Sequence, residues 1–126
     1  MKKNEFLEIV EKYPNLTSWG FGVNMENANG LSRQAYFAKE REELKGQLAS
    51  FELCLEWLEE NPRLEGRQNA HYWKDRVQDD YKPVHLGYFH IPRGVFILAA
   101  LYWGYEVTRM QGSTDAWIED REEVPA

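Results

Sequence analysis

Pro92-Arg-Gly-Val-Phe-Ile-Leu-Ala-Ala-Leu-Tyr-Trp-Gly104 is the stretch on which the fold turns. From Val95 to Trp103 every residue is apolar or aromatic. A helix that is apolar all round sits at the centre of a core or is covered by a partner. Pro92 suits the first turn of such a helix, because the missing N–H has no intrahelical partner there. Gly104 suits its end, where glycine readily adopts the left-handed cap. A central helix over 93–103 is therefore expected, with Phe96, Ala99, Ala100 and Trp103 among its buried residues. Gly94 lies in the first turn, where positive φ is not required, so its expected role is close packing against another element.

Outward from this helix the chain reads as helices with a few short strands. Residues 4–13 place Phe6, Ile9, Val10 and Tyr13 on one face before Pro14. Residues 17–25 change period: Trp19, Phe21, Val23 and Met25 alternate with Gly20, Gly22 and Asn24, which predicts a strand. Its two glycines would let another backbone come close. Ser32 is a helix cap. From there Phe37, Leu44, Leu48, Phe51, Leu55 and Leu58 follow a spacing of four and three, with Arg41 filling the missing step. That seam is heptad-like and would serve a homodimer through helix 33–60. With fewer than four clean heptads, packing within its own domain is the expectation. A third helix is predicted over 70–81, an extended segment over 84–91, and a hairpin from 105–110 and 116–119.

The expected fold class is α+β: a mostly helical single domain over residues 1–126. Three or four helices surround the helix at 93–103, with a small antiparallel sheet from 18–25, 105–110 and 116–119. Residues 120–126 form an acidic tail expected to fray.

Charge and cysteine usage narrow the function classes. The 126 residues carry 15 basic and 21 acidic groups, a formal net charge of −6. The acidic groups concentrate at the ends, with 11 in residues 1–60 and 5 in residues 113–126. That balance disfavours a broad phosphate-binding surface. Cys54 is the single cysteine, set among apolar residues, and reads as a buried structural thiol. Met1-Lys-Lys-Asn-Glu turns acidic and amphipathic at once, and no apolar run reaches the ~18 residues of a membrane span. A cytoplasmic location is expected.

Motifs that would carry chemistry are sparse. Gly20-Phe-Gly22 lacks the following glycine and helix start of a phosphate loop. There is no G-x-S-x-G and no paired C-x-x-C, and no cofactor is expected. His71 and Asp75 stand four apart on a predicted helix, where they share a face. With His85 and His90 downstream they are the candidates for a metal or an acid–base pair; a surface ion pair is the plainer reading. Arg63, Arg67, His71, Lys74 and Arg76 form a basic cluster interleaved with Tyr72 and Trp73, a combination that suits nucleic acid. Glu65, Asp75, Asp79 and Asp80 interrupt it, so a solvated helix face is preferred.

Three elements carry a resemblance. Phe51-Glu-Leu-Cys-Leu-Glu-Trp57-Leu58, Ala70-His-Tyr-Trp-Lys74-Asp75, and Arg93-Gly94-Val-Phe-Ile-Leu-Ala-Ala100 with Gly104-Tyr105 stand in this order. Residues 51–118 thereby resemble a family of small phage, plasmid and integrative-element proteins of unknown function. That family's pattern is a helix with Trp-Leu, then Ser-Tyr-x-Leu-Lys-His, then Asn-Gly-x-x-Ile-Ala-Ala followed by Gly-aromatic. Lys74, Gly94 and Gly104 match it. Ala70 stands for Ser, His71 for Tyr, Asp75 for His and Arg93 for Asn. The resemblance implies a mobile-element origin and leaves the chemistry open.

The expected function is a non-enzymatic, protein-binding accessory of a phage or mobile element. Its concrete form is anti-defence: inhibition of a host nuclease complex such as CRISPR-Cas. Glu56, Glu59 and Glu60 are the candidate protein-binding residues. The alternatives are a nucleic-acid-binding regulator using Arg63, Arg67, Lys74 and Arg76, and a metal-dependent enzyme at His71 and Asp75.

Overall fold

A computed structural model of the chain describes residues 1–81 and 90–120. Helix α1 spans Lys3–Glu11, followed by a two-strand hairpin of β1 (Leu16–Thr17) and β2 (Gly20–Phe21), and a 3-10 turn at Met25–Asn27. Then come α2 (Arg33–Lys45), α3 (Leu48–Glu60), β3 (Gln68–Asn69) and α4 (Ala70–Tyr81). After the undescribed residues follow α5 (Arg93–Trp103), β4 (Glu106–Arg109) and β5 (Ala116–Glu119). The α+β class read from the sequence holds. The predicted segment at 84–91 falls almost entirely outside the described residues, as does the tail beyond residue 120.

Helix α5 is the hub. Gly94 through Ala100 are all buried, and the six residues from Val95 are fully so. Trp57 of α3 stands edge-on to Phe96 with ring centroids 6.2 Å apart, and lies 6.4 Å from Trp73 of α4. Phe51 of α3 meets Phe6 of α1 at 5.1 Å. Buried polar atoms in these aromatics are satisfied, as burial demands. Trp57 Nε1 donates to Asp80 at 2.6 Å, and Trp73 Nε1 donates to the Ile118 carbonyl at 3.1 Å.

Both ends of α5 answer to glycine. A β-carbon on Gly94 would stand 1.8 Å from the Thr17 carbonyl oxygen, so α5 reaches β1 at a distance no side chain permits. Gly104 has φ 93°. Its N–H reaches the Leu101 carbonyl while the Tyr105 N–H reaches that of Ala100, the paired bonds of a Schellman ending. Trp103 departs from its expected burial. The last turn of α5 runs past the edge of the core, leaving Leu101 half-buried, Tyr102 45% exposed and Trp103 41% exposed.

The seam predicted over 33–60 belongs to two helices. The N–H groups of Gly46 and Gln47 bond three residues back, to Glu43 and Leu44, which tightens and ends α2. Leu44, Phe51 and Leu58 are fully buried in this chain's own core. Arg41, the polar step, donates to the carbonyls of Tyr13 and Leu16 at 2.9 Å each. The continuous helix that a coiled coil would use is absent. Ser32 caps α2 as expected, accepting from the Ala35 N–H at 3.1 Å.

The sheet is also rearranged. Strands β4 and β5 pair antiparallel with Val107 opposite Ile118. The third strand, however, is β3, which pairs with β5 through Gln68 and Asn69, giving the order β3-β5-β4. Residues 18–25 do not join this sheet. Gly20 and Gly22 take φ of 126° and 85°, which bends the chain where a strand would extend it. Gly20 does permit close approach, since its β-carbon would lie 2.0 Å from the Thr114 carbonyl oxygen. Phe21 N–H donates to that same carbonyl at 2.8 Å. No helix among the described residues is long and apolar enough to cross a membrane.

Candidate functional site

Two features stand out on this framework: a polar cleft beside α4, and an aromatic and acidic surface on α3 and α5.

The cleft, about 430 Å³, opens between the β1–β2 turn, α2, α4 and the lead into α5. Its walls hold Ser18, Glu40, Glu43, His71, Lys74, His90 and Arg93. Lys74 is buried because it shares the inward face of α4 with Ala70 and Val77. A buried ammonium must be paired. Here Asp75 lies 3.2 Å away, and Gln78 accepts from Lys74 at 3.3 Å while also taking the Ile91 N–H at 2.7 Å. Across the cleft, the buried Glu40 carboxylate accepts from the Ser18 hydroxyl, and its backbone carbonyl takes the Ser18 N–H. Partial burial and the Lys74 charge lower the His90 pKa below its ordinary 6.5, with Asp75 opposing and His71 adding to the shift. Both buried charges are thus satisfied within the fold. The cleft can hold a polar group, and the exposed Glu43 stands at its rim.

Positions 71, 74, 75 and 93, singled out in the sequence, gather at this cleft. His71, Lys74 and Arg93 line it, and Asp75 pairs with both His71, at 3.3 Å, and Lys74. Ala70, by contrast, is buried, its N–H bonded to Asp115 at 2.9 Å. His71 and Asp75 are both about half exposed. Among the described residues no group of three or more His, Cys, Asp and Glu side chains could hold a metal ion. His85 lies outside the described residues.

The basic cluster at 63–76 does not assemble into one surface. Arg67 pairs with Glu119 at 3.1 Å and lies over the Trp117 ring. Arg63 approaches Asp120 at 3.9 Å. Arg76 donates to the Tyr72 hydroxyl, and Lys74 is buried. The sequence places these residues close together, but the turn into α4 and the neighbouring β5 send them to different partners.

Glu56, Glu59 and Glu60 do share an exposed region. Together with Glu52 they stand on the outer side of α3, where the spacing 52-56-60 forms a single line. Their field reaches the next helix. Burial first, then the charges of Glu56 and Glu60, push the Tyr81 hydroxyl up to about 12. Helix α5 runs antiparallel to α3, with Phe96 against Trp57 and Tyr102 against Phe51 at 5.9 Å. The exposed Tyr102–Trp103 pair therefore sits at the Glu52 end of the acidic line. Sequence reasoning misses this pair as a surface feature because it counts Trp103 into the core. Comparison with protein family models, curated proteins and solved structures finds no match.

Proposed function

We propose that the chain is a non-enzymatic, protein-binding accessory whose docking surface joins the Tyr102–Trp103 pair to the acidic side of α3. One observation carries this reading: a helix buried from Gly94 to Ala100 ends in two large aromatics, each more than two-fifths exposed. Exposing them forgoes the stabilisation that burial would bring, and Trp and Tyr dominate the central anchors of protein interfaces. Glu52, at the aromatic end, is already paired with the Met1 amine at 3.0 Å, so Glu56, Glu59 and Glu60 farther along α3 select a basic partner by complementary potential. Basic surfaces that normally hold nucleic acid fit that description. The resemblance to mobile-element proteins makes a host nuclease complex the concrete candidate, and anti-defence the concrete role.

Affinity capture from a host extract tests this, with the wild-type chain and a Tyr102→Ala/Trp103→Ala variant run in parallel. The expected result is a basic partner retained by the wild type and lost by the variant at comparable melting temperature. Equal retention by both would refute the surface.

A further inference from the structure

We infer that the chain also carries an anion site, separate from the docking surface, that takes the phosphate of a small nucleotide-like molecule. The site is a cavity of about 730 Å³ between the segment after β2, the start of α2, the start of α5 and the β4–β5 turn. Pockets for small molecules run from about 300 to 1,000 Å³.

Three arginines from separate elements line it: Arg33 from α2, Arg93 from α5 and Arg109 from β4. Among the described residues no carboxylate lines it, in a chain with six more acidic than basic groups. Arg93 is held in place, donating to the Trp19 carbonyl at 3.0 Å and the Thr114 hydroxyl at 2.6 Å, with Asp115 behind it at 3.8 Å. Arg109 lies over the Phe21 ring at 4.8 Å. Among the described residues neither Arg33 nor Arg109 pairs with a carboxylate, unlike Arg41, Arg63, Arg67 and Arg93. Guanidinium groups without a counter-ion inside the fold leave a charge for a ligand to neutralise, and their planar forks match phosphate oxygens.

The rest of the lining sets the class. At Gly22 and Gly112, with φ of 85° and 73°, an added β-carbon would meet nothing within 4 Å, so bare backbone borders the cavity on two sides. Phe21, Val23 and Met25 add an apolar wall, and Asn24 and Gln111 add amides. A phosphate next to a flat, partly apolar, hydrogen-bonding group answers both halves, which describes a nucleoside monophosphate.

Isothermal titration of the full chain with each of the four ribonucleoside monophosphates tests this. The parent nucleosides, inorganic phosphate and a short single-stranded DNA serve as comparisons. At least one monophosphate should bind about tenfold or more tighter than its nucleoside, and tighter than phosphate. Arg33→Gln and Arg109→Gln should each weaken it several-fold; both positions are exposed, so the melting temperature should hold for Arg33→Gln and fall by only a few degrees for Arg109→Gln, which also loses the contact with Phe21. Lack of binding at millimolar nucleotide, equal binding of nucleoside or phosphate, or indifference to both arginine variants would overturn the site. Tighter binding of the DNA strand would also overturn it, assigning the arginines to a nucleic-acid backbone instead. None of these results depends on Tyr102 or Trp103, so the docking surface stands or falls separately.

Discussion

The Thr17 carbonyl oxygen occupies the space where a side chain on Gly94 would begin, 1.8 Å from the β-carbon position. The contact is sealed by the Gly94 N–H, which donates to the Ser18 carbonyl at 3.0 Å. It ties the central helix to the β1–β2 hairpin and so fixes one wall of the polar cleft. Gly94→Ala must push the helix off that backbone. A loss of about 1–3 kcal/mol or more is expected, read by thermal or denaturant unfolding. An unaltered melting temperature would show that the approach is not as close as described.

Phe96 and Trp103 lie on the same helix and should behave oppositely. Phe96 is fully buried against Trp57, so Phe96→Ala should cost about 3–5 kcal/mol and leave little folded protein. Trp103→Ala, at a position 41% exposed, should cost clearly less, about 1–2 kcal/mol. Unfolding curves of the two variants decide this, and a Trp103 variant as damaged as the Phe96 variant would return Trp103 to the core.

Cys54 is fully buried, and burial holds its thiol far above the ordinary value. The thiolate is the reactive form, so the native protein should resist a thiol-specific reagent and react stoichiometrically once unfolded. Rapid labelling of the native chain would contradict the packing of α3.

The pKa of His90 gives stability a pH dependence with a definite sign. Its folded-state value lies below the ordinary 6.5, so the folded protein binds this proton less readily than the unfolded chain does. The contribution is fully present above about 6.5 and is lost as pH falls from there through the lowered value. Between about pH 7 and pH 5, His90→Gln should therefore lose less stability than the wild type. Parallel unfolding curves across that range check it, and identical slopes would show that His90 does not contribute.

Some of this is legible in the sequence and some is not, for physical reasons. The unbroken apolar run from Val95 identifies the central helix, and the positions of Gly94 and Gly104 in it point to their packing and capping roles. Trp103 is misplaced by the same reading because composition does not show where a helix leaves the core. The break at Gly46 is hidden because the apolar spacing continues across it, from Leu44 to Leu48 and Phe51. Two-residue strands such as β3 are too short to show a period. The glycines between Thr17 and Met25 matter more than the alternation around them. The shared exposure of Glu56, Glu59 and Glu60 is legible because they lie on one helix. Arg33, Arg93 and Arg109 come from three separate elements, and no local motif announces that they line one cavity.

The most direct test of the protein-binding account measures affinity for the captured partner with the acidic line of α3 and the scattered basic residues of 63–76 changed in turn. Reversing Glu56, Glu59 and Glu60 to lysine removes the acidic line. Neutralising Arg63, Arg67 and Arg76 to glutamine removes the exposed basic residues. The account predicts that the glutamate reversals weaken binding about tenfold or more, while the arginine variants change it little. The opposite ranking, or a salt-sensitive complex with short duplex DNA that the arginine variants abolish, would contradict it.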